Sequence, residues 1–92
     1  MSLRFEWDPR KAASNARKHG VTFDEAATSF GDPRSITIAD PDHSLAEFRF
    51  VTIGLSLRGR LLVVVHTDRD RSIRIVSARK ATRREAEQYA KD

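Results

Sequence analysis

Apolar and polar residues alternate along much of the chain, and the pattern predicts five short strands. Leu3–Trp7 alternates apolar with charged positions, Ala46–Leu57 shows the same two-residue period, and Ser35–Ala39 also fits a strand. Leu61–Val65 is apolar at every position, as expected of a central strand that is covered on both faces. After a charged turn at 68–71, Ile73–Ala78 is expected to return antiparallel to it.

Three segments begin with helix-start signals. Asp8-Pro9 predicts a helix that continues to about Lys18, because an Asp cap accepts from the first amides and Pro loses no needed donor at the first helical position. Thr22–Glu25 is a capping box and predicts a helix to Phe30, and Thr82–Glu85 is a second one that predicts the last helix. The order β-α-α-β-β-β-β-α predicts an α+β fold with an antiparallel sheet.

The size and composition narrow the class of protein. The 92 residues predict a single domain, 1–92, whose small core gives a thin stability margin that a partner or a homo-oligomer would improve. The chain has no cysteine, which excludes disulfides and thiolate zinc sites and fits the cytoplasm. No apolar run approaches the length of a membrane span, so we expect no contact with a membrane.

The formal charge of +4 is unevenly distributed. Between Arg58 and Arg84, nine Lys or Arg residues stand against two Asp, whereas the segment Asp32–Glu47 carries four acidic residues and one Arg. A basic region of this kind is typical of a surface that faces a polyanion, although charged residues are more often merely solvated. Arg suits phosphate in particular, because its planar guanidinium matches the phosphate oxygens.

Two motifs resemble a known family. The opening F-E-W-D-P-x-K-A-x-x-N-x-x-K-H-G-V-x-F-x-E-A (Phe5–Ala26) and the closing R-I-V-S-A-R-K-A-x-x-x-E-x-x-x-Y (Arg74–Tyr89) are similar to the BrnT family of type II toxin–antitoxin ribonuclease toxins. The residues between them that also fit the family pattern are Glu47, Arg49, Gly54 and Leu61–Val65.

The resemblance implies a RelE-like fold and a metal-independent endoribonuclease that cleaves RNA, with mRNA as the expected target, and so arrests translation. It also implies a cognate BrnA-like antitoxin with a ribbon-helix-helix domain. The complex would repress its own operon, so operator DNA would be contacted only through the antitoxin. No cofactor is expected.

Metal-free RNA cleavage needs a base for the 2′-hydroxyl, an acid for the departing 5′-oxygen and positive charge on the transition state. Arg79 is the first candidate for that charge, because it follows the last strand where the final helix begins, so its guanidinium would be free of a partner. The alternative is an ion pair with a carboxylate such as Glu85. His66, expected at the end of the central strand, is the candidate acid or base. Arg69, in the following turn, is a candidate clamp for the same phosphate as Arg79.

Six further residues are candidate RNA contacts: Lys18, Glu47, Arg49, Arg60, Arg74 and Lys80. Glu47 and Arg49 share a strand face, where they form either a base held by a cation or an ordinary ion pair. Lys18 and His19 more simply complete a helix C-terminus.

The loop residues Asp40, Asp42 and His43 lack a fourth ligand, so no metal site is predicted. A non-catalytic nucleic-acid-binding or partner-binding domain that uses the same basic region is the alternative function.

Overall fold

The computed structural model describes residues 3–40 and 48–91. In chain order the elements are β1 (Arg4–Glu6), α1 (Pro9–His19), α2 (Phe23–Thr28), a 3-10 turn (Ser29–Gly31), β2 (Ile36–Ala39), β3 (Phe50–Leu55), β4 (Leu61–Arg69), β5 (Ser72–Lys80) and α3 (Arg83–Lys91). The fold class is α+β, as predicted.

The five strands form one sheet in the order β1-β5-β4-β3-β2, with β4 in the centre as predicted. The pairs β2–β3, β3–β4 and β4–β5 are antiparallel. The pair β1–β5 is parallel, so the sheet is mixed and the prediction of an antiparallel sheet was wrong. Parallel pairing joins the two ends of the chain, and local alternation carries no information about such a distant contact.

The capping signals fix the first helix as predicted. The Asp8 carboxylate accepts from the Arg10 N–H at 2.8 Å, and Pro9 occupies the first helical position. Gly20 ends α1 with a φ of 69°, and its N–H donates to the Ala16 carbonyl at 2.9 Å, because glycine adopts this left-handed conformation without a Cβ clash.

The second helix is shorter than predicted. Thr22 Oγ1 caps it by accepting from the Glu25 N–H at 3.1 Å, but α2 ends at Thr28 and a 3-10 turn carries the chain to Gly31. The Ser29 hydroxyl donates to the Ala26 carbonyl at 2.6 Å, and such local bonds compete with the regular helical pattern.

One face of the sheet packs against α1 and α2 and forms the main core. Val21, Phe23 and Ala26 are buried against sheet residues of β4 and β5, which are Leu62, Val64, Ile75 and Ala78. Partly buried side chains at the margin of this cluster are Phe5, Trp7, Ala12, Ala27 and Phe30. The aromatic side chains Phe5, Trp7, Phe23 and Phe30 are therefore all part of this core or packed against it.

Asn15 joins α1 to the edge of β5 beyond the point where β1 ends. Its side-chain amide donates to the carbonyls of Val21 at 2.9 Å and Ala78 at 2.8 Å, and its Oδ1 accepts from the Ala78 N–H at 3.1 Å. One buried side chain thus satisfies both backbone groups of an edge residue, as a neighbouring strand would.

The hairpin of β4 and β5 is longer than predicted. Each strand has nine residues, and the turn is confined to Asp70 and Arg71. A bulge in the β4–β5 pairing lies between Val65 and His66. Because the strands extend so far, residues at the two ends of β5 lie far apart.

The last helix lies on the other face of the sheet, where it contacts β3. Its capping box is reciprocal, since Glu85 N–H donates to Thr82 Oγ1 at 3.2 Å and Thr82 N–H donates to Glu85 Oε1 at 2.8 Å. None of the residues of α3 is buried. Within residues 3–40 and 48–91, no helix combines the length and the apolar character needed to cross a bilayer.

Candidate functional site

The sheet face opposite α1 and α2 carries a series of arginines. We call it the open face, although α3 lies across part of it at β3. Ile75 and Ala78 of β5 point into the core beneath the helices. Because neighbouring side chains of a strand alternate between faces, Arg74 and Arg79 project from the open face. Thr67 lies opposite Arg74 in the register and shares that face.

Two more arginines belong to the same face. Arg69 lies two residues beyond Thr67 on β4 and opposite Ser72 of β5, so alternation also places it on the open face. Arg49 precedes β3 and extends its ladder, because its carbonyl accepts from the Asp40 N–H at 2.8 Å. These arginines therefore share one face of the sheet, but they are spread along it and do not gather at a single point.

Arg79 is held by Glu85 of α3. Its Nη1 donates to Glu85 Oε1 at 2.8 Å and its Nη2 donates to Oε2 at 2.9 Å, with a further bond from Nη1 to the Lys80 carbonyl at 3.3 Å. The prediction of an unpaired guanidinium was wrong, and the alternative of an ion pair with Glu85 is confirmed.

This ion pair sets the electrostatics of the site. The hydrogen bonds from Arg79 lower the pKa of the Glu85 carboxyl to about 2, and the carboxylate in turn raises the pKa of Arg79. The side chain of Arg79 is nevertheless 42% exposed, against 25% for Glu85. Glu85 therefore fixes the plane of the Arg79 guanidinium and occupies one of its edges, and the rest of the group is accessible to an anion.

Arg69 lies far from Arg79. Arg79 is opposite Val63, six positions before Arg69 on β4, and a strand rises about 3.3 Å per residue. The two positions are therefore separated by roughly 20 Å along the sheet. The prediction that Arg69 and Arg79 surround one phosphate was wrong, because it rested on a hairpin shorter than the one that forms.

His66 is buried on the helix side of the sheet and not at a strand end, so its predicted position was wrong. The residue is 4% exposed. Its Nε2 is 2.7 Å from Thr52 Oγ1, and Phe30 and Phe50 lie against the ring with centroids at 4.9 and 5.9 Å. Burial lowers the pKa of the imidazole.

Arg60 clamps α2 to the β3–β4 hairpin. Its Nε donates to Glu25 Oε2 at 2.9 Å, and its Nη2 donates to Glu25 Oε1 and, at 3.0 Å, to the Gly20 carbonyl. The Ser56 hydroxyl also donates to Glu25 at 2.8 Å. These contacts, with the bonds from Arg60 foremost, lower the pKa of the Glu25 carboxyl. Glu25 therefore completes this cluster, and the reciprocal half of its predicted capping box does not form.

The other predicted contact residues are scattered. Arg74 Nη1 pairs with Glu6 of β1 at 2.9 Å, and Lys80 is exposed at the end of β5. Lys18, in the last turn of α1, lines a cleft of about 200 Å³ with Lys11 and Ser77 on the far side of the hairpin.

The predictions for Glu47, Asp42 and His43 fall outside the residues that the structure describes. Across the described ranges, no three His, Asp or Glu side chains come together as metal ligands would.

No role was predicted for Asn15 or Asp32. Asn15 fixes β5 at Ala78, directly before Arg79. Asp32 Oδ2 accepts from the Tyr89 hydroxyl at 2.5 Å and from the Leu55 N–H at 2.8 Å, which lowers the pKa of Asp32 and raises that of Tyr89. The one available signal was Asn15 itself, since a short polar residue is unfavourable in a helix interior unless its side chain has a specific partner.

Comparison with known proteins identifies the family. A family model described as "Ribonuclease toxin, BrnT, of type II toxin-antitoxin system" matches residues 7–85. The chain belongs to the BrnT family. The resemblance found in the two sequence motifs is thereby confirmed, and so is membership of a family of ribonuclease toxins. A type II system pairs a toxin with a cognate antitoxin, so this BrnT-family chain has an antitoxin as its partner.

A solved BrnT structure supports the fold. The crystal structure of the Brucella abortus ribonuclease toxin BrnT is similar to this chain with a TM-score of 0.64 and 20% sequence identity, covering 89% of this chain and all of that one. At this identity the likeness shows the α+β fold alone. No curated protein matches the chain.

Proposed function

We propose that this BrnT-family toxin is a metal-independent endoribonuclease whose scissile phosphate binds on the open face beside Arg79. The observation that supports this most directly is the Arg79–Glu85 pair, which fixes the plane of the guanidinium while 42% of the side chain stays exposed. A cation oriented before the substrate arrives stabilises developing charge without further reorganisation.

In the proposed reaction, the 2′-oxygen attacks the adjacent phosphorus and loses its proton to a base. The bond from phosphorus to the 5′-oxygen breaks, and that oxygen takes up a proton. Arg79 donates hydrogen bonds to the non-bridging oxygens, where the negative charge of the transition state develops. In other nucleases a divalent cation supplies this positive charge. Because Arg79 supplies it in this proposal, we assign no divalent cation to the reaction.

Arg69, Arg74 and Arg49 serve to bind the RNA backbone in this proposal. They lie on the same face as Arg79 but up to roughly 20 Å from it along the strands. An extended single strand lying along a groove contacts a protein over several nucleotides, so these arginines would bind phosphates flanking the scissile one. Lys80 lies opposite the core residue Leu62 and so alternates onto the other face, and we assign it no RNA contact. We assign no RNA contact to Arg60, which is bound to Glu25, or to His66, which is buried.

The biological setting is proposed by analogy with the family. We place the activity in the cytoplasm, with mRNA as substrate, arrest of translation as the outcome and a RelE-like relationship of the fold. The antitoxin would carry a ribbon-helix-helix domain and contact operator DNA on behalf of the complex. An antitoxin segment that covered the open face would neutralise the toxin by excluding RNA.

The test is end-mapping of RNA incubated with the purified toxin in the presence of a chelator. We expect new RNA ends from the wild type and a loss of about 10²–10³-fold in rate for Arg79→Ala. Arg17→Ala is the control and should cleave at the wild-type rate, since Arg17 is exposed on α1, which covers the opposite face of the sheet. Intact RNA in the wild-type sample, or cleavage that requires the metal, would contradict the proposal.

The burial of His66 favours one alternative, a module that binds nucleic acid without cleaving it, because the predicted proton-transfer group is withdrawn from the open face. That function predicts RNA binding that weakens steeply with salt and no new ends in the same experiment. Weakened binding in Arg69→Ala and Arg74→Ala would accompany either function, so the RNA ends decide between them.

A further inference from the structure

The two outer edges of the sheet differ in how they are protected from further pairing. At one edge, β1 has three residues, two of which are charged, and Asn15 bonds to β5 beyond it. Short strands, charges and covering elements are the usual means by which an edge avoids pairing with another chain. The other edge strand, β2, is also short, but its four residues, Ile36–Ala39, carry neither a charge nor a Pro.

The outer edge of β2 offers its backbone groups for pairing. The Asp40 N–H donates to the Arg49 carbonyl, and in an antiparallel ladder such bonds recur at every second residue. Ile36 and Ile38 therefore bond to β3, whereas the N–H and C=O groups of Thr37 and Ala39 point away from the sheet. In the part of the chain that the structure describes, no strand lies beyond β2.

We infer that β2 is a self-association edge, at which two copies of this chain pair antiparallel through Ile36–Ala39 about a twofold axis at Thr37. In this register each Thr37 bonds to its counterpart, and Ala39 of one copy lies opposite Ser35 of the other. Ile36 of each copy lies opposite Ile38 of its partner on the open face, which covers an Ile38 side chain that is 50% exposed in one copy.

The charges at the two ends of β2 select this register. Directly opposite positions must share a sheet face, so the sum of their two residue numbers must be even. Arg34 lies in the turn before β2 and Asp40 directly after the strand, so the Thr37-centred register, with a sum of 74, also brings the Arg34 end of each strand beside the Asp40 end of the other. Registers centred on Ile36 or on Ile38 would place an isoleucine opposite Arg34 or Asp40. The sequence S-I-T-I-A with Arg34 before it and Asp40 after it is thus complementary to itself.

A second copy explains this pattern better than an unrelated strand, because a twofold axis requires complementarity of the segment with itself. The contact is small. Two four-residue strands bury far less than the ~1,600 Å² of a standard stable interface, so the dimer is expected to be weak and to depend on protein concentration.

The test is a sedimentation equilibrium series with the wild-type chain, the charge variants Arg34→Asp and Asp40→Arg, and the double variant that carries both. Each single variant places like charges opposite each other at both ends of the pairing, and we expect the dimer to weaken about tenfold. The double variant restores opposite charges and is expected to dimerise like the wild type. Leu57→Lys is the matched control, because Leu57 is 87% exposed but lies outside β2.

Amide hydrogen exchange by NMR gives a second readout that uses only the wild type. The amides of Thr37 and Ala39 should exchange more slowly as protein concentration rises, whereas those of Ile36 and Ile38 are protected at every concentration. A strictly monomeric wild type would overturn the inference, as would a dimer in which the double variant is no better than the single variants. Weakening by Leu57→Lys alone would overturn it as well, by placing the interface elsewhere.

Discussion

The Asn15 bridge between α1 and β5 leads to a quantitative prediction for Asn15→Ala. The substitution removes three buried hydrogen bonds and leaves the Val21 carbonyl and both backbone groups of Ala78 without their partner. At about 1 kcal/mol net for each bond, less about 0.6 kcal/mol gained from the higher helix propensity of Ala, the free energy of unfolding should fall by about 2–3 kcal/mol. For a domain of this size, the corresponding drop in Tm is about 10–20 °C.

The assay is urea and thermal unfolding followed by circular dichroism, with Ser14→Ala as the matched control. Ser14 neighbours Asn15 on the same helix but is exposed, so its substitution should change the free energy of unfolding by about 0.5 kcal/mol or less. If Asn15→Ala cost no more than Ser14→Ala, Asn15 would not be holding the strand that carries Arg79, and the reasoning about this edge would be refuted.

Three further predictions concern stability. Gly54→Ala places a Cβ 2.6 Å from the Ser29 carbonyl oxygen, so we expect a loss of about 1–3 kcal/mol in urea unfolding; an unchanged midpoint would mean that the 3-10 turn does not pack there. The pKa of Glu85 is lowered to about 2, so the stability from its pair with Arg79 is present above the usual pKa of a Glu and is lost as pH falls toward about 2. Glu85→Gln should flatten that part of the plot of unfolding free energy against pH, and a plot as steep as that of the wild type would count against the pair. Burial lowers the pKa of His66, so as pH falls the imidazole of the unfolded chain is protonated before that of the folded chain, and stability decreases below about pH 6.5. His66→Gln should remove this dependence of the unfolding free energy on pH. If the dependence persists, another group causes it.

Local structure was predictable from the sequence because its signals act over a few residues. Asp8-Pro9 begins α1 and Gly20 ends it, through hydrogen bonds within a single turn of chain. Thr82 and Glu85 likewise bond to each other in the capping box of α3. The wholly apolar Leu61–Val65 run identified the central strand, since only such a strand is covered on both faces.

The arrangement of the site depends on distances that alternation does not specify. The pattern of apolar residues identified Leu61–Val65 and Ile73–Ala78 but not the polar extensions of both strands, which carry the pairing on to Arg69 and Ser72. Those extra residues separate Arg69 from Arg79 and move His66 from a strand end to the core. The same limitation explains the parallel β1–β5 pair, which is a long-range contact.

The partners of charged side chains were the least predictable feature. Glu25 satisfies the sequence rule for a capping box, yet its carboxylate lies 4% exposed beside Arg60, 35 positions away in the chain. A buried carboxylate that meets a guanidinium in a fixed geometry gains more than from a local backbone bond, and only the folded chain brings these two groups together.

Single-turnover kinetics of Arg79→Ala would show whether Arg79 acts on the transition state of RNA cleavage. RNA affinity should be measured in the same buffer, and Arg69→Ala compared. We expect Arg79→Ala to lower the rate of the cleavage step by about 10²–10³-fold while RNA affinity changes little. Arg69→Ala should weaken the affinity and leave the cleavage step intact. An Arg79→Ala protein that binds RNA weakly but cleaves the bound RNA at the wild-type rate would contradict this role of Arg79.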